Sequence, residues 1–165
     1  MVRAFRVVVR GLTAAVLTFG LAGPAGARAA PADSCSLLSA AEIQAAVGKP
    51  VGAGKPNARA NPLVGLPCEY RVGDLGGFSV LVKAAAAGET AASVKAALAK
   101  QQIAVAPSAA LGDGSFFSSP GYGMVQLNTF KGTSYAIITL MMPGASEAAQ
   151  KAAAERLMRL VVQKL

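Results

Sequence analysis

Alternation of apolar and polar positions with period two is clearest at "CEYRV" (68–72) and "FSVLVKA" (78–84), where Phe78, Val80 and Val82 share one face. Asp74-Leu75-Gly76-Gly77 between them reads as a turn, so the two stretches predict a hairpin. Three further strands are predicted at 115–118, 123–130 and 134–142, with Lys131-Gly132 turning the last pair and Pro143-Gly144 ending it. Helical spacing appears three times. At 40–47, Ser39 stands as a cap with Glu42 three residues on, a pairing in which each side chain satisfies the other's backbone amide. Leu38 and Ile43 flank it as a hydrophobic staple, Gly48 suits a left-handed stop, and Pro50 bars continuation. An Ala-rich segment at 90–102 has Thr90 to cap it and Val94, Ala97 and Leu98 on one side. At 147–164, capped by Ser146, an inward stripe of Ala149, Ala153, Leu157, Leu160 and Val161 opposes an outward stripe of Glu147, Lys151, Glu155 and Arg159 at i,i+4 spacing. Strands joined by tight turns pair antiparallel, and the helices must bury their apolar stripes on them. The predicted fold is α+β: a two-layer sandwich whose antiparallel sheet of about four to five strands has helices packed on it.

The segment 48–67 between the first helix and the hairpin holds four prolines and four glycines and reads as a long loop with room for a brief extended piece. It superficially suggests a phosphate-binding loop. That pattern, ending at Gly54-Lys55, needs Gly where Lys49 stands and Ser or Thr where Pro56 stands; the dinucleotide pattern needs Gly where Asn57 stands. Lys49, Lys55 and Arg59 remain as candidates for an anion-facing loop, against which a solvated surface is the plainer reading.

The chain of 165 residues carries a formal charge of +8, but four of its cations, Arg3, Arg6, Arg10 and Arg28, lie in the first 28 positions. There, three arginines precede an uncharged apolar stretch from Gly11 to Ala22, followed by small residues that fit a small-x-small cleavage site. This is the layout of a secretory signal, and the apolar stretch is shorter than the ~20 residues of a spanning helix. Residues 1–29 are read as a signal peptide and 30–165 as a single exported domain, periplasmic or secreted after cleavage. Without the leader's arginines the excess of cations is small, and no run of Lys and Arg interleaved with aromatics marks a nucleic-acid surface.

Two cysteines, Cys35 and Cys68, and no histidine limit the chemistry. A lipid anchor at Cys35 fits poorly behind the charged Asp33. Zinc wants about four Cys or His ligands, and a Cys–His catalytic pair has no histidine to use. In an oxidising compartment two cysteines normally pair. No metal or cofactor is expected, and contact with a membrane only if the leader is retained or Cys35 is lipidated. For acid–base or nucleophilic work the candidates are Asp113, in Gly112-Asp113-Gly114, with Ser118 and Tyr122 as a loop site; an Asx turn accounts for Asp113, and the nucleophile-elbow pattern occurs nowhere.

The frame "CSLLSAAEIQAAVG", then "CEY", then "LGDGSFF", a late hairpin and a closing helix resembles a family of small exported bacterial proteins, many of them lipoproteins, catalogued as a domain of unknown function. The resemblance covers residues 33–165. It implies a secreted or envelope-attached α+β domain with a Cys35–Cys68 bridge, and no established reaction; the lipid-anchor site of many relatives is missing here. The expected role is a non-catalytic binding or accessory module of the cell envelope, acting on an envelope protein, a polymer or a small ligand. The alternatives are a small hydrolase or transferase using Asp113, Ser118 or Tyr122, and a purely structural envelope protein. Replacing Cys35 or Cys68 with Ser is expected to lower unfolding free energy by about 3–4 kcal/mol in oxidising buffer and by nothing under reductant. Denaturant titrations in both buffers check this, and equal stabilities in both contradict it.

Overall fold

A computed structural model describes residues 33–61, 65–109 and 111–165. The signal segment 1–29 lies outside the described residues. Seven strands form one antiparallel sheet: β1 (Lys55–Pro56), β2 (Cys68–Val72), β3 (Gly76–Ala84), β4 (Ala104–Pro107), β5 (Gly114–Gly121), β6 (Met124–Lys131) and β7 (Ser134–Met141). Their order across the sheet is β1-β2-β3-β7-β6-β5-β4. Three helices accompany it, α1 (Ala40–Val47), α2 (Ala91–Lys100) and α3 (Glu147–Lys164), with a 3-10 turn at Ser34–Ser36.

The sheet is wider than the four to five strands expected from the pattern. Both edge strands were invisible to alternation. β1 is two residues of the Pro/Gly loop that pair with Cys68 and Glu69. β4 is short and mostly exposed, so it shows no apolar face. The first hairpin turns at 73–75, and Gly76 and Gly77, expected in the turn, belong to β3. β5 is twice the expected length and runs to Gly121, with a register shift between Ser118 and Gly121.

One face of the sheet is sealed. Cys68, Tyr70 and Val72 of β2, Phe78, Val80 and Val82 of β3, and Ala136, Ile138 and Leu140 of β7 are buried there with Val125 and Leu127 of β6. Covering them are Ala153, Ala154, Leu157, Met158 and Val161 of α3 and Ile43 and Ala46 of α1. The inward stripe of α3 differs from expectation at its start: Ala149 is exposed, and Gln150 is buried in its place, where its Oε1 accepts the Met142 N–H at 3.0 Å. Of the two expected pairs on the outer stripe, Glu147–Lys151 forms at 2.6 Å. Among the described residues the Glu155–Arg159 pair does not form; Glu155 accepts the Ala109 N–H at 2.8 Å and ties the β4–β5 connection to the helix.

The start of the described chain is locked to this layer. Cys35 and Cys68 form a disulfide, with Cα atoms 4.9 Å apart. The bridge sets the 3-10 turn beside the part of β3 that β2 does not reach, and Ser34 Oγ accepts the otherwise unpaired Val82 N–H at 3.2 Å. Tyr70 donates its hydroxyl to the Leu38 carbonyl at 2.6 Å. Gly54 passes so close that a Cβ there would lie 2.6 Å from the Tyr70 ring and 2.8 Å from Cys68 Sγ, so no other residue fits. Ser39 and Glu42 cap α1 reciprocally, and Gly48 ends it at φ 67°. Cations then satisfy carbonyls left open at helix ends: Arg156 binds Ala46 O at 2.5 Å, Lys131 binds Val162 O at 2.6 Å, and Lys164 bridges Leu37 O and Glu42.

The second face is covered only in part, which overturns the expectation of two layers. Consecutive residues on β5 show it. Lys95 of α2 lies 5.1 Å from the Phe116 ring centroid, and Lys151 of α3 lies 5.4 Å from that of Phe117. Adjacent strand residues point to opposite faces, so α2 packs on the side away from α1 and α3. It shelters Phe116, Phe130 and Tyr135 with Ala91, Val94 and Leu98, while Ala97, expected in that stripe, is exposed.

Two carboxylates are held below their ordinary range. The Ser39 backbone N–H leads for Glu42, joined by Lys164. For Glu89, burial works upward but hydrogen bonds from Lys83 and the Ala86 N–H outweigh it. Depressed carboxyls stabilise the fold above the unfolded value of about 4.3, and that contribution is lost as pH falls through the folded values. Urea titrations from pH ~6 to ~3 are therefore expected to show declining stability, with a shallower decline in the Glu42→Gln, Glu89→Gln double variant; an unchanged slope contradicts it.

Candidate functional site

Strand register organises the open part of the second face into rows. Arg71 pairs with Gly77, and Gly77 with Met141. Met124 continues this row, one residue beyond the Val125–Leu140 pair. The neighbouring row runs Lys55, Glu69, Ser79, Thr139, Gln126, Ser118. Between them lies a hollow of about 230 Å³ lined by Glu69, Gly77, Ser79, Met124, Thr139 and Met141, with Tyr70 and Phe78 at its edge. It exists because Gly77 has no side chain: a Cβ there would meet nothing within 4 Å. Its neighbour Gly76 is different. A Cβ on Gly76 would lie 2.5 Å from Val72 O and 2.9 Å from Met141 O. One glycine is demanded by packing, and the other leaves space.

A chain of hydrogen bonds runs from beneath α2 into this hollow. Tyr135 Oη donates to Asn128 Oδ1 at 2.7 Å, and Asn128 Nδ2 donates to Ser118 Oγ at 3.1 Å. Ser118 Oγ donates to Gln126 Oε1 at 3.1 Å, and Gln126 Nε2 to Thr139 Oγ1 at 3.2 Å. Each donation along the chain runs toward the hollow, and the Thr139 hydroxyl ends it as an acceptor. Burial pushes the Tyr135 hydroxyl well above the ordinary phenol range, which keeps it protonated as the head of the chain. Its ring stacks on Phe130 at 4.2 Å between centroids and lies 5.2 Å from Lys83 Nζ, which Glu89 holds at 2.7 Å. Buried polar groups are costly unless paired; among the described residues none of the buried side-chain N or O atoms lacks a partner.

The residues singled out in the sequence are dispersed. Asp113 sits at the start of β5. Its N–H donates to Phe130 O at 2.6 Å and its Oδ2 accepts the Gly132 N–H at 2.5 Å, which clamps β5 to the β6–β7 turn. Gly112 before it has φ 65° and lies against the Phe130 carbonyl, so Leu-Gly-Asp serves this clamp. Ser118 lies within β5, 1% exposed, and bonds to Gln126 and Asn128, with no basic side chain among its partners. Tyr122 is at the tip of the β5–β6 turn, at φ 55° and 92% exposed. The three therefore occupy the start, the interior and the far end of one hairpin arm. Lys49 donates to Pro143 O at 3.3 Å near the first hairpin's turn, whereas Lys55 and Arg59 lie at the opposite end of β2. No group of three or more His, Cys, Asp or Glu side chains placed to hold a metal occurs among the described residues.

Gly77, Ser79, Met124, Thr139, Met141 and Arg71 were not legible as a site. The signal was there as the second half of each alternation: between the core positions stand Gly77 and Ser79 of β3, Met124 and Gln126 of β6, and Thr139 and Met141 of β7 near one sheet end, and Lys83, Phe130 and Tyr135 near the other. The disulfide is compatible with an oxidising, exported location, and no helix among the described residues is long and apolar enough to cross a membrane. Comparison of the chain with protein-family models, with curated proteins and with solved structures finds no match.

Gly77→Leu is expected to unfold within about 0.5 kcal/mol of the native chain, since the new side chain enters open space. Gly76→Ala should lose more than about 1 kcal/mol, because the strand must shift away from two carbonyls. Thermal or urea unfolding of the pair checks this; equal losses would mean that Gly77 is as constrained as Gly76 and the hollow is not there.

Proposed function

We propose that the chain is an exported, non-catalytic binding module of the bacterial cell envelope, and that the uncovered half of its sheet is the binding surface. The observation that carries this reading is the hollow at Gly77, bounded by two methionines and two hydroxyl side chains on the half of the second face that α2 leaves open. Flexible thioethers adapt to apolar ligands, and a few convergent polar groups in an apolar hollow are the usual make-up of a ligand site. Export is supported by the leader pattern, by the disulfide, and by the resemblance of residues 33–165 to small exported proteins. The candidate nucleophile Ser118 serves the hydrogen-bond chain, and Asp113, expected to make a local Asx turn, instead clamps β5 to the β6–β7 turn, which favours binding over turnover.

Native mass spectrometry of the protein purified from the envelope fraction of its own host tests this. The expected result is a chain cleaved near residue 29 that carries a non-covalent adduct, with the adduct lost in Gly77→Leu. A bare mass in both forms, or an adduct indifferent to Gly77→Leu, contradicts the open half-sheet as the binding surface.

A further inference from the structure

The row through the hollow has unlike ends. At the β6 end stand Met124 and Met141; at the β2 end stands Arg71, exposed and, among the described residues, in no ion pair. Lys55, which lines a hollow together with Arg71, is likewise in no ion pair among the described residues. The one carboxylate in this group, Glu69, accepts from Asn57 Nδ2 at 2.6 Å and is flanked by Lys55 across the strand pair and by Arg71 two residues on. The group Lys55, Glu69 and Arg71 thus keeps an excess of positive charge. A second hollow, lined by Gly52, Ala53, Lys55, Glu69, Tyr70 and Arg71, adjoins the first and shares Glu69 and Tyr70 with it.

We propose that this row binds a single-chain anionic amphiphile, a medium-chain fatty carboxylate, with its head at Arg71 and its tail across Gly77, Met141 and Met124. The inference rests on the reading of the open half-sheet as a binding surface. The guanidinium offers a planar fork that matches a carboxylate, and Lys55 adds a second charge within the same group. From β2 to β6 is three strand spacings, about 14 Å, which suits one extended chain of moderate length. The Gly77 gap admits the tail against the sheet, and the Thr139 and Ser79 hydroxyls border it. The hollow, about 230 Å³, is below the ~300–1,000 Å³ of sites for larger ligands, which argues against a two-chain lipid.

Titration calorimetry with decanoate, octanoate and the neutral octanol, beside anionic phosphatidylglycerol vesicles, tests it on the mature chain. The expected result is saturable binding of one decanoate, several-fold weaker binding of octanoate, a roughly tenfold loss for decanoate in Arg71→Gln, and abolition in Gly77→Leu. Lys100→Gln on α2 should change nothing. Octanol binding should be unaffected by Arg71→Gln. Absence of saturable decanoate binding, indifference to Arg71→Gln, or binding to vesicles alone overturns the proposal. If decanoate fails while an adduct from the host envelope is still lost in Gly77→Leu, the anionic amphiphile falls and the binding surface stands; if that adduct also fails to depend on Gly77, both fall.

Discussion

A sheet must have its apolar faces covered, and the placement of the helices decides how much of each face is. α3, 18 residues and about 27 Å long, runs along β6 and β7: Gln150 near its start meets Met142 at the end of β7, and Val162 near its end meets Lys131 at the end of β6. With α1 beside it, it closes one face, and the core there is continuous from Cys68 to Val125. α2 closes only the half of the other face that carries Phe116, Phe130 and Tyr135. The remaining half carries Gly77, Ser79, Thr139, Gln126 and the two methionines, residues that tolerate partial exposure better than aromatics do. The composition of that face follows the position of its helix.

The same partial cover explains the polar chain from Tyr135 to Thr139. Where a covered half meets an uncovered half, side chains must pass from a dry to a wet environment. Asn128, Ser118 and Gln126 make that passage as one run of linked hydrogen bonds. On the sealed face no such transition is needed, and the buried polar groups pair locally: Ser34 and Gln150 with backbone N–H groups, and Thr129 with the Ser115 hydroxyl. The disulfide belongs to that sealed side. By holding the 3-10 turn and α1 against β2 and β3, it lets a short N-terminal segment complete both the edge of β3 and the cover over the core.

Much of the fold was legible because local chemistry and global packing agree. The bounds of α1 follow from Ser39, Glu42 and Gly48, those of α3 from Ser146 and its stripe, and β2 from its alternation. What was not legible depends on partners distant in sequence. β1 and β4 exist only because β2 and β5 offer them backbone groups; their own residues show no apolar face. The side of the sheet on which α2 lies is set by the facing of Phe116 and not by anything within 91–100. Gly76-Gly77 has the composition of a turn, and its role as strand floor appears only when Met141 is placed beside it. The candidates chosen for their chemistry, Asp113, Ser118 and Tyr122, are spread along one hairpin arm, whereas the hollow is built from residues unremarkable in type and brought together by register.

Methionine methyl groups give the most direct test of the half-covered sheet as a ligand surface. Met124 and Met141 are half-buried in the hollow, while Met142 and Met158 lie in the sealed core. In a methyl-labelled sample of the mature chain, adding a lipid and polymer extract of the host envelope is expected to shift the Met124 and Met141 resonances and leave those of Met142 and Met158 in place. Shifts confined to the core methyls, or no shift at the two methionines of the hollow, would contradict it.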